Sequence, residues 1–389
     1  VDIPLDELRA LAGEVSYSPG FTTDGSGDAA ALRAAAVECA AAADTAVVFL
    51  GLAADQESEG FDREHIELPA EQVELLAAVL EVQPRTVVVL SHGGVLRLGP
   101  VTAAPAVLDA ALLGQAVGGA IADVLHGVVN PSGRLAETVP VRIQDTPTYL
   151  SFPGEHSHVH YGEGLFVGYR WYDAREMDVV FPFGHGLSYT TFAYSDLRLA
   201  ADGSGVTATV TVTNTGSRAG REVVQCYRGL PGSRVARAPR ELTGFAAVTL
   251  QPGESAEVEV LLRRADLAYW DIRVDRWVVE GGDYEIAVGA SSRDLRAVAT
   301  VAVAGDEVRL PITADSTIGE VMADPRAAAV LGRLAARVGD GGAALGTDLA
   351  RMIEWVPLGR LGILSGQGPA LDLGELLAEA PPGADHPSG

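Results

Sequence analysis

Residues 46–69, AVVFLGLAADQESEGFDREHIELP, hold a strand, a loop and the first turn of a helix. The apolar run Ala46–Leu52 has the length and aliphatic content of a buried strand, and Pro69 followed by AEQVELLAAVL opens an amphipathic helix. Between them the loop carries Asp55, Glu57, Glu59, Asp62, Glu64 and Glu67, with Arg63 and His65 among them. Strand, loop and helix in this order are the unit of an open α/β sheet, in which ligands bind just outside the carboxyl ends of the strands. An acidic loop at that place is positioned to present a reactive carboxyl group. The plain alternative is a solvated surface loop.

Outward from this stretch the alternation continues. An Ala-rich helix over 28–43 precedes the strand, and the helix after Pro69 places Val73, Leu76, Ala77 and Leu80 on one face. A strand at 86–91, another short one near 106–113 and a helix over 115–126 follow, with Gly127 where a C-cap belongs. This predicts a three-layer α/β sandwich with a mainly parallel sheet over residues 1–193. Its last part, 141–193, lacks periodicity and reads as an ordered crossing segment. From about 194 the period changes to 2: Val206, Ala208, Val210 and Val212 alternate with Thr up to the Asn214-Thr215-Gly216 turn. Ala256 to Leu262 and Tyr284 to Val288 repeat the pattern, which predicts an antiparallel β-sandwich over 194–303. Residues 304–389 predict a helical appendage. Thr317 and Glu320 fit a capping box, Asp324-Pro325 a helix start, and Val330, Leu331, Leu334 and Val338 an apolar stripe; the tail from about 380 has a disordered composition.

Composition narrows the function. The 52 acidic against 28 basic residues give a formal charge of −24, which argues against nucleic acid or an anionic membrane as partner. No apolar run approaches the roughly 18 residues of a membrane span. Cys39 and Cys226 fall in different predicted domains and read as two small buried residues, not a disulfide. The chain begins at Val1, so the lack of a leader says nothing about secretion; the expectation is a soluble protein, with the cytoplasm favoured.

The loop E57-S-E-G-F-D-R63 with I66-E-L-P69 resembles the acid/base loop of glycoside hydrolase family 3, the β-glucosidase family. The likeness runs in order through PRTVVVLSHGG (84–94), LLGQAVGGAIADVLHGVVNPSGRLAETVP (112–140), VHYGEGLFVGYRWYD (159–173), FPFGHGLSYTTF (181–192) and RWVVEGGDYEIAVGASSRDLR (276–296). It implies the C-terminal portion of such an enzyme, an α/β sandwich domain followed by a fibronectin type III-like domain, with no cofactor and no metal. Retaining glycosidases need two carboxyl groups about 5–5.5 Å apart, one a nucleophile and one an acid/base. By the resemblance Glu59 is the acid/base, with Glu57 the runner-up if the extended loop points both to one side. Phe61 is the apolar neighbour such an acid requires, and Asp62 and Arg63 form an ion pair that pins the loop. The nucleophile is an Asp on an N-terminal barrel that this chain lacks, so the implied partners are that barrel and a β-glucoside or oligosaccharide substrate. The resemblance also implies one more strand before Val1, and hence an unpaired sheet edge. The competing reading is a non-catalytic carbohydrate-binding or interaction module that kept the fold and lost the chemistry.

Other constellations have plainer readings. His156, His158 and His160 alternate beside Glu155 and Glu163 in the manner of a metal site, but the family carries a similar segment without a metal. Gly118-Gly119 reads as close helix–sheet packing, Asn130-Pro131-Ser132-Gly133 as a turn, and Ser195-Asp196 as part of a strand and not a nucleophile motif. Tyr161, Tyr169, Trp171 and Tyr172 suit sugar stacking or, more simply, burial against another layer.

Overall fold

Three parallel strands, β1 (Ala46–Gly51), β2 (Thr86–Ser91) and β3 (Ala106–Asp109), lie side by side in chain order in the computed structural model, which describes residues 1–308, 310, 312–323 and 354–360. Alternate side chains go to opposite faces, so an unbroken aliphatic run buries both. Val48, Leu50, Val88 and Leu90 pack under α2 (Ala29–Ala41) and α3 (Ala70–Val82), whereas Val47, Val89 and Leu108 meet α4 (Val117–Leu125) on the other face. Helix α1 (Pro4–Leu11) packs on α4. The expected three layers are present, with α3 as the crossover from β1 to β2 and a single 3-10 turn (Val101–Ala103) between β2 and β3.

Helix starts follow their local chemistry. Asp28 caps α2, its Oδ1 accepting the N–H groups of Ala30 and Ala31 at 3.0 and 3.1 Å. Strand β3 stops at Asp109, short of the expected reach to 113. The Asp109 carboxylate accepts the Ala111 N–H at 3.0 Å and Ala111 adopts a φ of 43°, which turns the chain out of the sheet. The close approach that requires Gly118 is not to the sheet, as the sequence suggested. A Cβ there would lie 2.9 Å from Asp2 Cβ and from the Ile3 carbonyl carbon, in the segment leading into α1. Among the described residues, strands β1 and β3 each pair on one side only. At the end of β1 the Gln72 side chain of α3 answers both backbone groups of Gly51, accepting its N–H at 2.9 Å and donating to its carbonyl at 2.8 Å.

Residues 141–193 form the aperiodic crossing segment. It holds α5 (Tyr169–Ala174) and β5 (Val179–Phe181), which pairs with β4 (Val139–Pro140). The sandwich follows. β6 (Phe192–Asp202), β7 (Gly205–Asn214) and β10 (Ser255–Arg263) make one sheet in the order β10-β7-β6. β8 (Gly220–Gly229), β9 (Glu241–Leu250), β13 (Gly282–Gly289) and β14 (Leu295–Val303) make the other, in the order β14-β13-β8-β9. All pairings are antiparallel, and the alternating Val206, Ala208, Val210 and Val212 are buried, as are Val258, Val260 and Leu262 of β10 and Tyr284, Ile286 and Val288 of β13. Both cysteines are free thiols, and burial in β8 pushes the Cys226 thiol up to about 12.

The motifs NPSGRL and PFGHGLSY form the joint between the α/β layers and the sandwich. Asn130 Nδ2 donates to Ala219 O at 3.0 Å while its Oδ1 accepts from Ser188 Oγ and the Tyr189 N–H. Arg134 and Glu222 form a buried ion pair at 3.0 Å, and Glu222 also accepts the Tyr194 hydroxyl at 2.9 Å. Gln225 Nε2 bridges Gly184 O and Ala290 O at 3.1 and 2.6 Å. Gly184 sits at φ 81°, and a Cβ on it would lie 2.0 Å from Gln225 Oε1. Gly184→Ala is expected to lower stability by about 3 kcal/mol or more, combining left-handed strain with overpacking. The urea midpoint measures it; a shift equivalent to under 1 kcal/mol would show that the joint is soft.

A second compact unit comprises residues 268–279 and the described residues after 304. It contains the hairpin β11 (Ala268–Asp271) and β12 (Arg276–Val279). Arg273, together with the Tyr269 hydroxyl, holds the Asp271 carboxyl well below the usual carboxylate range. Helix α6 (Ile318–Ala323) opens on the expected capping box, Glu320 N–H to Thr317 Oγ1 at 3.2 Å and Thr317 N–H to Glu320 Oε2 at 2.9 Å. Asp324-Pro325, the stripe from Val330 to Val338 and the tail from 380 lie outside the described residues. No helix among the described residues is long and apolar enough to cross a membrane.

Candidate active site

The acidic loop leaves the carboxyl end of β1. Leu52 N–H donates to Ser91 O at 3.2 Å, and Gln56 and Glu57 N–H donate to Ala53 O, so one tight turn carries the chain across the end of β2. There the Glu57 carboxylate accepts two backbone donors, the Gly93 N–H at 2.5 Å and the Gly94 N–H at 2.8 Å. Arg63 closes the loop from its other side, with Nε 3.7 Å from Glu57 Oε1 and Nη2 donating to Val95 O at 3.0 Å. Between these anchors Ser58 and Phe61 form an antiparallel bridge, and Gly60 N–H donates to Ser58 Oγ at 3.3 Å. Glu59 and Gly60 are therefore the tip of a two-residue turn. Glu59 is exposed and makes no hydrogen bond or ion pair to any described residue.

This geometry separates the two glutamates and corrects three expectations. Glu57 does not point with Glu59; its carboxylate is folded back onto the Gly93-Gly94 amides. Arg63 pins the loop, but its ionic partner is Glu57 and not Asp62, whose side chain is exposed. Phe61 is 47 % exposed, so within this chain it walls off nothing.

Three further ionisable groups, His92, Asp109 and Glu137, lie close to the loop and to one another. His92, in S91-H-G-G94, places Nδ1 2.8 Å from Gly94 O and Nε2 3.3 Å from Asp109 Oδ1, an ionic contact and not an aligned hydrogen bond. Burial opposes protonation of His92, but the Asp109 carboxylate outweighs it and the imidazole is raised above its ordinary value. Asp109, against its own burial, is lowered by His92. Burial and the Asp109 charge raise Glu137, with His92 and Arg63 opposing. The signal was available: SHGG ends one strand and Asp109 ends the next, and parallel neighbours bring such ends together.

The His92–Asp109 pair has a testable pH signature. A raised histidine stabilises fully below its unfolded pKa of 6.5, and this is lost as pH rises through the folded value. A lowered aspartate stabilises above its unfolded pKa of 3.8, and this is lost as pH falls through the folded value. The melting difference between the native chain and Asp109→Asn should therefore be largest at about pH 4–6.5 and shrink on both sides. A difference that does not vary with pH would mean the pair is not ionised.

Elsewhere the sequence candidates have structural work. His156, His158 and His160 are exposed on a turn in which His158 Nδ1 contacts His156 O at 2.9 Å, and no cluster of three His, Cys, Asp or Glu suited to a metal occurs among the described residues. Tyr169 stacks on Phe183 with centroids 4.8 Å apart, Trp171 Nε1 donates to Asp145 O at 2.9 Å, and burial pushes the Tyr172 phenol up to about 12. Tyr161 alone of the four is 80 % exposed. Ser195-Asp196 sits at an irregularity in β6, the serine hydroxyl bonded to the adjacent carboxylate. Cavities of about 530 and 370 Å³ lie against the sandwich, and neither is lined by a residue of the 57–63 loop.

Residues 1–189 match the family model described as the glycosyl hydrolase family 3 C-terminal domain, and residues 222–292 match the fibronectin type III-like domain. The chain belongs to glycoside hydrolase family 3. Within family 3 it is 43 % identical over 343 residues to thermostable beta-glucosidase B of Acetivibrio thermocellus, covering 86 % of this chain and 45 % of that protein. It is 43 % identical over 370 residues to an exo-alpha-(1->6)-L-arabinopyranosidase of Bifidobacterium breve, covering 94 % of this chain and 49 % of that protein. The crystal structure of the Bifidobacterium adolescentis family 3 beta-glucosidase superposes with a TM-score of 0.80 at 47 % identity, over 84 % of this chain and 49 % of that one. The chain thus spans about half the length of these family 3 relatives, and the matched half is the C-terminal portion.

Proposed function

We propose that this chain supplies the acid/base half of a retaining, exo-acting β-glucosidase, with Glu59 as the acid/base and the Asp nucleophile on an N-terminal barrel outside the chain. The observation that carries the reading is the contrast between the two glutamates. The Glu57 carboxylate is consumed by three contacts, to the Gly93 and Gly94 N–H groups and to Arg63, whereas Glu59 is held at a turn tip at the carboxyl ends of the strands with its carboxyl group free to meet a second domain. Hydrolysis by retention requires this residue to give a proton to the leaving glycosidic oxygen and then take one from water. The exposure of Glu59 and Phe61, and the absence of both cavities from the loop, fit a site that becomes enclosed only against the barrel. Relatives named as β-glucosidases and as an arabinopyranosidase support a terminal pyranoside as substrate, with β-glucoside the first choice.

Residues 1–389 alone should show no turnover of aryl β-glucosides, and mixing with a separately produced barrel should restore some. Rates from the purified fragment near those of intact relatives would overturn this division of labour.

A further inference from the structure

The geometry points to Glu57 as a positioning residue for the acid/base, held on the Gly93-Gly94 amides and by Arg63 so that the turn tip carrying Glu59 has one placement. This inference rests on the functional reading above and adds to it the device that holds the catalytic carboxyl group in place.

The turn by itself has little to fix it. Its base is one isolated bridge between Ser58 and Phe61, and Ser58, Glu59, Gly60 and Phe61 are all exposed. A loop of this kind would fluctuate, and an acid displaced by about 1 Å loses on the order of 100-fold in rate. The structure supplies the missing constraint from outside the loop. One anchor precedes Glu59 by two residues and the other follows it by four, and both converge on the segment 93–95. Glu57 Oε1 is shared between the Gly94 N–H and Arg63, so the two ends of the loop are tied to each other as well as to β2. Charge-assisted bonds from backbone amides to a carboxylate are the strong kind.

The receiving segment is shaped for this use. A Cβ on Gly93 would lie 3.1 Å from the Glu57 carboxyl carbon, and one on Gly94 would lie 2.8 Å from Arg63 Nη2. Both glycines let the clamp approach closely: a side chain at 93 would crowd the Glu57 carboxylate, and one at 94 would displace the Arg63 guanidinium. The segment is itself fastened: His92 binds Gly94 O through Nδ1 and faces Asp109 through Nε2, which carries the support from β2 to β3. A side chain serving only loop solubility would need none of these partners.

The test uses the chain together with its barrel and compares Glu57→Gln and Gly94→Ala with the parent. The glutamine keeps one oxygen for two amides and gives up the charge facing Arg63. The alanine pushes Arg63 aside and leaves the carboxylate intact. Active sites are counted by the burst of dinitrophenol from a 2-fluoroglucoside, which removes losses due to misfolding. Per active site, Glu57→Gln should lose about 10–100-fold in kcat/KM for an alkyl glucoside and no more than about threefold for dinitrophenyl glucoside, whose leaving group needs no proton. Gly94→Ala should show the same split, smaller in size. Equal losses on both substrates, or none in either variant, would overturn the positioning role. Glu59→Ala run alongside separates this from the parent reading: if it fails to show a leaving-group split, the assignment of the acid itself is wrong.

Discussion

Glu59→Ala, made in the chain together with its barrel, is expected to lower kcat/KM for cellobiose and alkyl glucosides by about 10²–10⁴ while dinitrophenyl glucoside suffers little in its first step. The difference arises because a poor leaving group departs only as the protonated alcohol, whereas a dinitrophenolate leaves unaided. The second step then fails for every substrate, since the same residue must take the proton from water. The covalent glucosyl-enzyme accumulates, and the activated aryl substrate gives a burst followed by slow turnover. Azide is a nucleophile that needs no base, so it should restore turnover and appear as β-glucosyl azide. Glu57→Gln keeps Glu59 as base and should yield glucose, with no azide product. If azide rescue follows Glu57 instead, the assignment is wrong by two residues; if it follows neither, the acid lies elsewhere.

Glu222→Ala should be the most costly single change outside the site. Arg134 and Glu222 are buried at 9 and 3 % side-chain exposure, one from the NPSGRL turn and one from β8. Removing the acid strands the Arg134 charge and takes away the acceptor of the Tyr194 hydroxyl. Breaking a buried pair in this way costs about 3–5 kcal/mol, whereas replacing both members with apolar residues of similar volume is often close to neutral. Urea unfolding of Glu222→Ala and of an Arg134→Met, Glu222→Leu double variant measures the contrast. The single variant should be the weaker of the two. Because this pair joins the α/β layers to the sandwich, its loss should also lower the m value if the two begin to unfold separately. A Glu222→Ala loss below 1 kcal/mol would mean that the joint is carried by Asn130 and Gln225.

How far the sequence could be read depended on the kind of pattern each element leaves. The sheet was legible because β1 and β2 are unbroken aliphatic runs, and the sandwich because Val206 to Val212 alternate without a slip. The end of β3 was not, because Ala110-Ala111-Leu112-Leu113 continues the apolar pattern while an Asp109 side-chain bond turns the backbone away. At the site, the chemistry of the loop was visible in its carboxylates and its family likeness. The partners of those carboxylates were not. Glu57 meets Gly93 and Gly94 through backbone N–H groups, which every residue but proline possesses and which leave no mark beyond the glycines that make room. Sequence adjacency pairs Arg63 with Asp62, while the loop closure that brings it to Glu57 is a property of the fold. NPSGRL likewise announced the family without revealing that Asn130 and Arg134 fasten two layers together.

The side-chain amide of Gln72 has a consequence for the border of the parallel sheet. In a parallel ladder a residue turns its N–H and C=O to the same side, and Leu52 rather than Gly51 bonds to Ser91 O, so the groups that Gln72 occupies are those Gly51 turns outward. The side-chain amide turns one N–H and its oxygen to Gly51, as a passing peptide unit would. It acts as a chain terminator for strand addition. A further strand joining on this side, whether from elsewhere in the enzyme or from another copy, can be templated only by residues 46–50 and must stop before the acidic loop. Such an addition leaves the turn carrying Glu59 uncovered, and the liability of an open border is kept apart from the surface proposed to receive sugar.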